Sequence, residues 1–71
     1  MMEVVKSLRQ DDFMFSVDAL GTPWDVYRFC YRGVDGMIAF RLVDGRTEIG
    51  YFRRGTATEE QVATALKQNV N

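Results

Sequence analysis

Histidine is absent from this 71-residue chain, and cysteine and proline occur once each. Without an imidazole, the commonest general base is missing, and so is the partner that activates a nucleophilic serine or cysteine. Zinc sites use several cysteine or histidine ligands, which Cys30 alone does not supply. The glycines are spaced as turns and strand kinks rather than as a phosphate-binding loop. We therefore expect a protein that is not an enzyme and that holds no metal or cofactor.

The chain also lacks an excess of charge of one sign and a long apolar run. Nine lysines and arginines against ten acids leave a net charge of −1, which does not favour bulk attraction to nucleic acid or to an anionic membrane. No apolar run approaches the roughly 20 residues of a membrane-spanning helix. Residues 1–6 do not form a basic segment followed by an apolar one, and a lone cysteine suits a reducing compartment. We expect a cytoplasmic protein that does not insert into membranes.

Length limits how such a chain is stabilised. Residues 1–71 are predicted to form one small domain. A scaffold of this size usually needs a disulfide, a metal or a partner subunit in addition to its core. Because the first two are not expected here, efficient packing or self-association remains, and we predict a homodimer.

The most informative pattern is an alternation of apolar and polar residues from Trp24 to Arg54. A period of two is typical of half-buried β-strands. We therefore predict an α+β fold: an antiparallel β-meander of three to four strands, with a C-terminal helix on one face and a short N-terminal helix as a further element. The alternation gathers large apolar side chains on one side of the sheet, here called the aromatic face: Tyr27, Phe29, Tyr31, Ile38, Phe40, Leu42, Ile49 and Tyr51.

The turns determine how these strands pair. A first strand is predicted around Phe13, Phe15 and Val17, and Pro23 is expected to precede the second strand because it has no N–H to donate. The next turn is predicted within residues 33–36, centred on 34–35 or on 35–36. Asp44 and Gly45 are a strong type I′ signal, and this turn places Phe40 opposite Ile49, Ile38 opposite Tyr51, and Arg41 opposite Glu48.

Helices are predicted at both ends of the chain. Residues 2–9 suit a two-turn helix, although a first strand fits them too. Thr58 and Gln61 match a capping box at the start of the C-terminal helix. Val62, Leu66 and Val70 form an apolar stripe on that helix, which we expect to cover the aromatic face.

The opposite side of the sheet, here called the arginine face, carries Arg28, Arg32, Arg41 and Arg46. Small or apolar residues run between these arginines, and an apolar centre with a charged rim is typical of an interface. We therefore predict a protein-interaction module that self-associates through a sheet face, unless the N-terminal helix covers that face or the face is simply solvated. The predicted interaction surface comprises Arg28, Cys30, Arg32, Met37, Ala39, Arg41 and Phe52.

An alternative function uses the same arginines to bind nucleic acid. Basic sheet faces in single-strand binders follow phosphates and stack bases on exposed aromatic rings. Trp24, Arg46, Arg53 and Arg54 are the candidate contacts in that case.

Cys30 and an acidic segment are weaker candidates. Arg28 and Arg32 flank Cys30 and are expected to lower the pKa of its thiol, which favours a redox or covalent role; a small residue packed in the sheet or in an interface fits Cys30 as well. Asp11, Asp12, Asp18 and Asp25 match no calcium-loop spacing, and we interpret them as a solvated acidic loop rather than a cation site.

Overall fold

Four antiparallel strands in chain order form the sheet, which confirms the predicted α+β meander. The computed structural model describes residues 2–68. The predicted N-terminal helix is present, although it is shorter than residues 2–9, and the strand alternative does not apply. The elements are α1 (Met2–Ser7), a 3₁₀ turn (Gln10–Asp12), β1 (Phe13–Ala19), β2 (Thr22–Tyr31), β3 (Val34–Val43), β4 (Arg46–Arg54) and α2 (Glu59–Gln68).

All three hairpins close through two-residue turns in which both central residues have positive φ, the geometry of a type I′ turn. The turn at Asp44 and Gly45, with φ of 51° and 76°, is the one that the sequence predicts. The second residue of each turn is glycine, which takes a positive φ at no steric cost. The central pairs are Leu20 and Gly21, Arg32 and Gly33, and Asp44 and Gly45.

The β2–β3 turn differs from both predicted alternatives. It is formed by Arg32 and Gly33, so that Tyr31 pairs with Val34. Glycine again takes the second positive-φ position of the turn, here as Gly33, and Arg32 takes the first. The rings of β2 and the apolar residues of β3 nevertheless share one face, since Tyr27 pairs with Ile38.

Pro23 is the second residue of β2 and does not precede that strand. It pairs with Asp18 of β1, while the ladder between β2 and β3 begins only at Asp25. At Pro23 the strand therefore has a neighbour on the β1 side only. On the open side there is no ladder bond for the missing N–H to remove.

A β-bulge at Gly50 reverses the alternation of β4. Phe40 pairs with Ile49 as predicted, but Ala39 pairs with Tyr51, so Gly50 is the extra residue. Ile38 therefore lies opposite Phe52, and the predicted pairing of Ile38 with Tyr51 is wrong. Because a bulge shifts all later side chains to the other side, Tyr51 joins the arginine face and Phe52 the aromatic face. A second irregularity, at Met14 in β1, separates Phe13 from Phe15.

The C-terminal helix covers the arginine face, and the prediction that it covers the aromatic face is wrong. Val62 and Leu66 are buried with Trp24, Met37 and Ala39 of the sheet. The reason is steric: Ala39 and Gly50 have little or no side chain, so Leu66 of α2 approaches this face closely, whereas large rings occupy the aromatic face. Val70, the third residue of the predicted stripe, lies outside the described residues.

The short helix α1 packs on the aromatic face instead. Val4 is buried against Phe29 and Ile38, with Val5 and Leu8 beside them. With six residues, α1 is too short to cover the whole face, and this leaves part of it open.

The start of α2 has the predicted capping box. The Gln61 backbone N–H donates to Thr58 Oγ1 over 3.1 Å, and the Thr58 N–H donates to Gln61 Oε1 over 2.9 Å. Both bonds satisfy N–H groups that have no partner within the helix.

Candidate interaction surface

The centre of the predicted interaction surface is buried beneath α2. Met37 and Ala39 are 0% exposed and Trp24 is 1% exposed. The indole N–H of Trp24 donates to the Ala19 carbonyl over 2.9 Å. These three side chains reach neither a protein partner nor a nucleobase while α2 stays in place, so the arginine face provides no continuous docking surface.

Arg41 belongs to the packing of this face. Its guanidinium lies over the Trp24 ring, 4.3 Å from the ring centroid. Nη1 donates to Thr22 Oγ1 over 2.8 Å, and Nη2 pairs with Glu48 Oε1 at 3.0 Å. The predicted Arg41–Glu48 pairing is confirmed, and its consequence is that Arg41 covers one end of the core.

Cys30 lies exposed at the end of β2, opposite Asp35. A hydrogen bond and the negative charge of Asp35, with a smaller effect of burial, raise the pKa of the Cys30 thiol above its ordinary value; Arg28 opposes them. Arg28 thus lowers this pKa as expected, but the effect of Asp35 is larger, so the expected net lowering is wrong. A thiol with a raised pKa is a poorer nucleophile at neutral pH.

The predicted arginine patch is divided between two ends of the sheet. Arg46 begins β4 opposite Val43, beside the β3–β4 turn, whereas Arg54 ends β4 opposite Gly36. Arg53 and Arg54 thus lie at the same end as Arg32, which forms the β2–β3 turn. None of these last three forms an ion pair with any residue from 2 to 68.

At that end, on the aromatic face, lies a groove of about 390 Å³ that we call the arginine–aromatic groove. Phe29 and Phe52 stack in it with ring centroids 4.7 Å apart and an angle of 12° between the rings. The Arg32 guanidinium lies 5.3 Å from the centroid of the Tyr31 ring. The groove is lined by Phe29, Tyr31, Arg32, Val34, Phe52, Arg53 and Arg54.

Sequence reasoning placed Phe52 on the wrong side of the sheet and so missed this groove. The signal that reveals it is Gly50, since an isolated glycine within a strand indicates a bulge. One extra residue there carries Phe52 across the sheet and onto Phe29.

An acidic region lies at the opposite edge of the same end of the sheet. The 3₁₀ turn Gln10–Asp12, here called the acidic turn, runs beside the last residues of β2 and borders a cleft of about 440 Å³ that Phe29 also lines. Asp12 Oδ2 accepts the Arg9 N–H over 3.0 Å. Next along the chain, Phe13 and Met14 are 44% and 39% exposed.

Comparison of the chain with protein-family models, curated proteins and solved structures finds no significant match. From residue 2 to residue 68, no helix is both long and apolar enough to cross a membrane. Over the same residues, no three side chains of cysteine, aspartate or glutamate are grouped so as to hold a metal ion.

Proposed function

We propose that this protein is a small non-enzymatic interaction module that binds a protein partner through the arginine–aromatic groove. The observation that carries the proposal is the Phe52 ring, which is stacked on Phe29 and still 36% exposed, beside arginines that form no ion pair with residues 2–68. Aromatic residues and arginine are the residue types most enriched at binding hot spots.

The stacked rings of Phe29 and Phe52 provide apolar contact area that is ordered before binding. Phe29 is buried and stacked, so it holds the Phe52 ring in one position before any partner arrives. A ring that is already ordered loses little conformational freedom on binding. Covering it removes apolar surface from water, which stabilises a complex by about 25 cal/mol for each Å² buried.

The arginines contribute orientation. Arg32 and Arg54 present guanidinium groups with several N–H donors and no carboxylate partner within residues 2–68. Charge-assisted bonds from such groups favour a partner with carboxylates next to an apolar side chain.

We also propose a cytoplasmic location. Cys30 is an exposed free thiol, and such thiols persist in reducing compartments.

Site-specific photocrosslinking tests the proposed function. A benzophenone amino acid replaces Phe52 in one variant and Leu20, an exposed residue of the β1–β2 turn, in a matched control. After irradiation in cells of the source organism, we expect defined polypeptide adducts from position 52 and none of the same mass from position 20. Absence of any adduct from position 52 overturns the proposal.

Binding of single-stranded nucleic acid is a second candidate, now at the groove. Tyr31, Phe52 and Arg54 lie on the face that α2 leaves open, and exposed rings beside an arginine suit base stacking. Trp24 does not take part, because it is 1% exposed. Titration of labelled oligonucleotides tests this: binding that weakens steeply with salt and is lost in Arg54→Glu supports it, and no binding at low salt excludes it.

A further inference from the structure

We propose that the partner in the arginine–aromatic groove is a second copy of this chain, which inserts Phe13 and the acidic turn before it. The inference rests on the proposed function, because it names the occupant of the same groove. Each copy then makes the same two contacts with the other: its acidic turn contacts the groove arginines, and its Phe13 ring contacts the Phe52 ring.

The arginine–aromatic groove presents both positive charge and exposed apolar surface. Its arginines have no carboxylate partner among residues 2–68, and its Phe52 ring is partly exposed. An occupant therefore needs negative charge directly beside an apolar side chain.

This chain carries such a segment on its own surface. Asp11 and Asp12 directly precede Phe13, and Asp11 is exposed. Phe13 packs edge-on against Tyr27 on the aromatic face, with centroids 5.4 Å apart, and remains nearly half exposed. The groove, at about 390 Å³, has room for an aromatic side chain.

A single copy does not bring the two parts together. The acidic turn leads directly into β1, whereas Arg54 ends β4, three strands further across the sheet. Three inter-strand spacings correspond to about 14 Å, which is far beyond the reach of an ion pair. The complementary parts of one molecule therefore remain available to another.

Two-fold symmetry fits this arrangement. At the same end of the sheet, the acidic turn lies at the β1 edge, and the groove extends from Phe29 of β2 to Arg54 at the β4 edge. Rotation about an axis parallel to the strands exchanges the two edges and keeps the end. Each acidic turn then meets the other copy's groove, and the interface is closed and isologous.

Sedimentation equilibrium with a charge swap tests the inference. At micromolar concentration we expect wild type to have twice the chain mass. Asp11→Arg places like charges in both contacts of its own dimer, and so does Arg54→Asp; each is expected to weaken self-association about tenfold or more. An equimolar mixture of the two variants restores both contacts, so a heterodimer forms with an affinity within about threefold of wild type.

Matched controls carry the same charge changes at the other end of the sheet. Asp18→Arg and Arg46→Asp alter exposed residues away from the groove, and their dimer affinity is expected to equal that of wild type. Circular dichroism and urea unfolding show that every variant is folded before its mass is measured.

Two results overturn the inference: wild type that stays monomeric at micromolar concentration, or swap variants that dimerise as wild type does. If wild type is monomeric and position 52 still crosslinks to another polypeptide, the second copy is wrong and the proposed function stands. If position 52 gives no adduct, both fail. Oligonucleotide binding by a monomeric protein overturns the inference in favour of nucleic acid.

Discussion

The backbone of Gly50 lies directly against the indole ring of Trp24. A β carbon on Gly50 would come within 2.6 Å of Trp24 Cζ3 and 2.5 Å of Leu66 Cδ2. Real β carbons essentially never approach other heavy atoms so closely. Gly50 thus combines two roles: it makes the bulge that turns Phe52 into the groove, and it lets α2 approach the sheet.

Gly50→Ala is therefore expected to reduce the free energy of unfolding by about 2–3 kcal/mol, since a crowded core must shift to accept one methyl group. Urea unfolding measures the change. Because the clash involves Leu66, the cost should fall when Leu66→Ala is present, with a coupling of about 1 kcal/mol.

Gly45→Ala is the matched control for Gly50→Ala. Gly45 has a φ of 76° and no atom within 4 Å of an added β carbon, so it loses only about 1 kcal/mol through backbone strain. It should show no coupling to Leu66. Equal effects at both glycines, or a coupling at Gly45, would contradict the proposed close approach.

Arg41→Met tests whether Arg41 stabilises the fold. Methionine keeps much of the apolar length but loses the contact with Trp24 and the bonds to Thr22 and Glu48. A cation over an aromatic ring and a charge-assisted bond together are worth about 1–2 kcal/mol, partly offset because Arg41 Nε is buried with no partner within residues 2–68. We expect a net loss of about 1 kcal/mol in urea unfolding.

The exposed Arg46 gives the comparison for Arg41. Arg46→Met should stay within about 0.5 kcal/mol of wild type, as is usual for surface changes. If Arg41→Met were as stable as wild type, the contacts of Arg41 would make no net contribution to the free energy of unfolding.

Asp35→Asn tests the electrostatics at Cys30. Asp35 raises the pKa of the Cys30 thiol by a hydrogen bond and by its charge, so less thiolate is present at a given pH. Removing the charge lowers the pKa, and the pH profile of alkylation by iodoacetamide is expected to shift to lower pH. Below the thiol pKa, the variant should react faster than wild type.

Removing the positive charge of Arg28 should change the pKa of Cys30 in the opposite direction. Arg28 lowers the same pKa, so Arg28→Gln should move the alkylation profile to higher pH. Asp44→Asn, in the distant β3–β4 turn, should leave it unchanged. A shift of the Asp35→Asn profile to higher pH would refute the assignment.

Features that depend on a few neighbouring residues were predictable from the sequence. The turn at Asp44 and Gly45 and the capping box of Thr58 and Gln61 both form within four residues. The register from that turn holds as far as Ile49 and fails at the bulge. The type I′ turn at Arg32 and Gly33 was missed because arginine is not a typical residue at a positive-φ position.

The candidate site was less predictable, because its parts come together from distant positions. Phe29 and Phe52 lie on β2 and β4, with β3 between them, and they meet because Gly50 adds a residue to β4 and Gly36 leaves room for the Phe29 ring. The apolar centre of the arginine face predicts a docking surface for a partner, and this prediction is wrong because α2 of the same chain packs on it.

The sequence by itself determined that the chain forms an antiparallel meander with two chemically different faces, because strand periodicity and turn chemistry act over a few residues. Only the tertiary structure decided which helix covers which face and where the arginines meet exposed rings. Those outcomes depend on how volumes fit across the sheet: small residues such as Ala39 and Gly50 admit α2, while the rings of the other face leave room for only a short helix and an open groove.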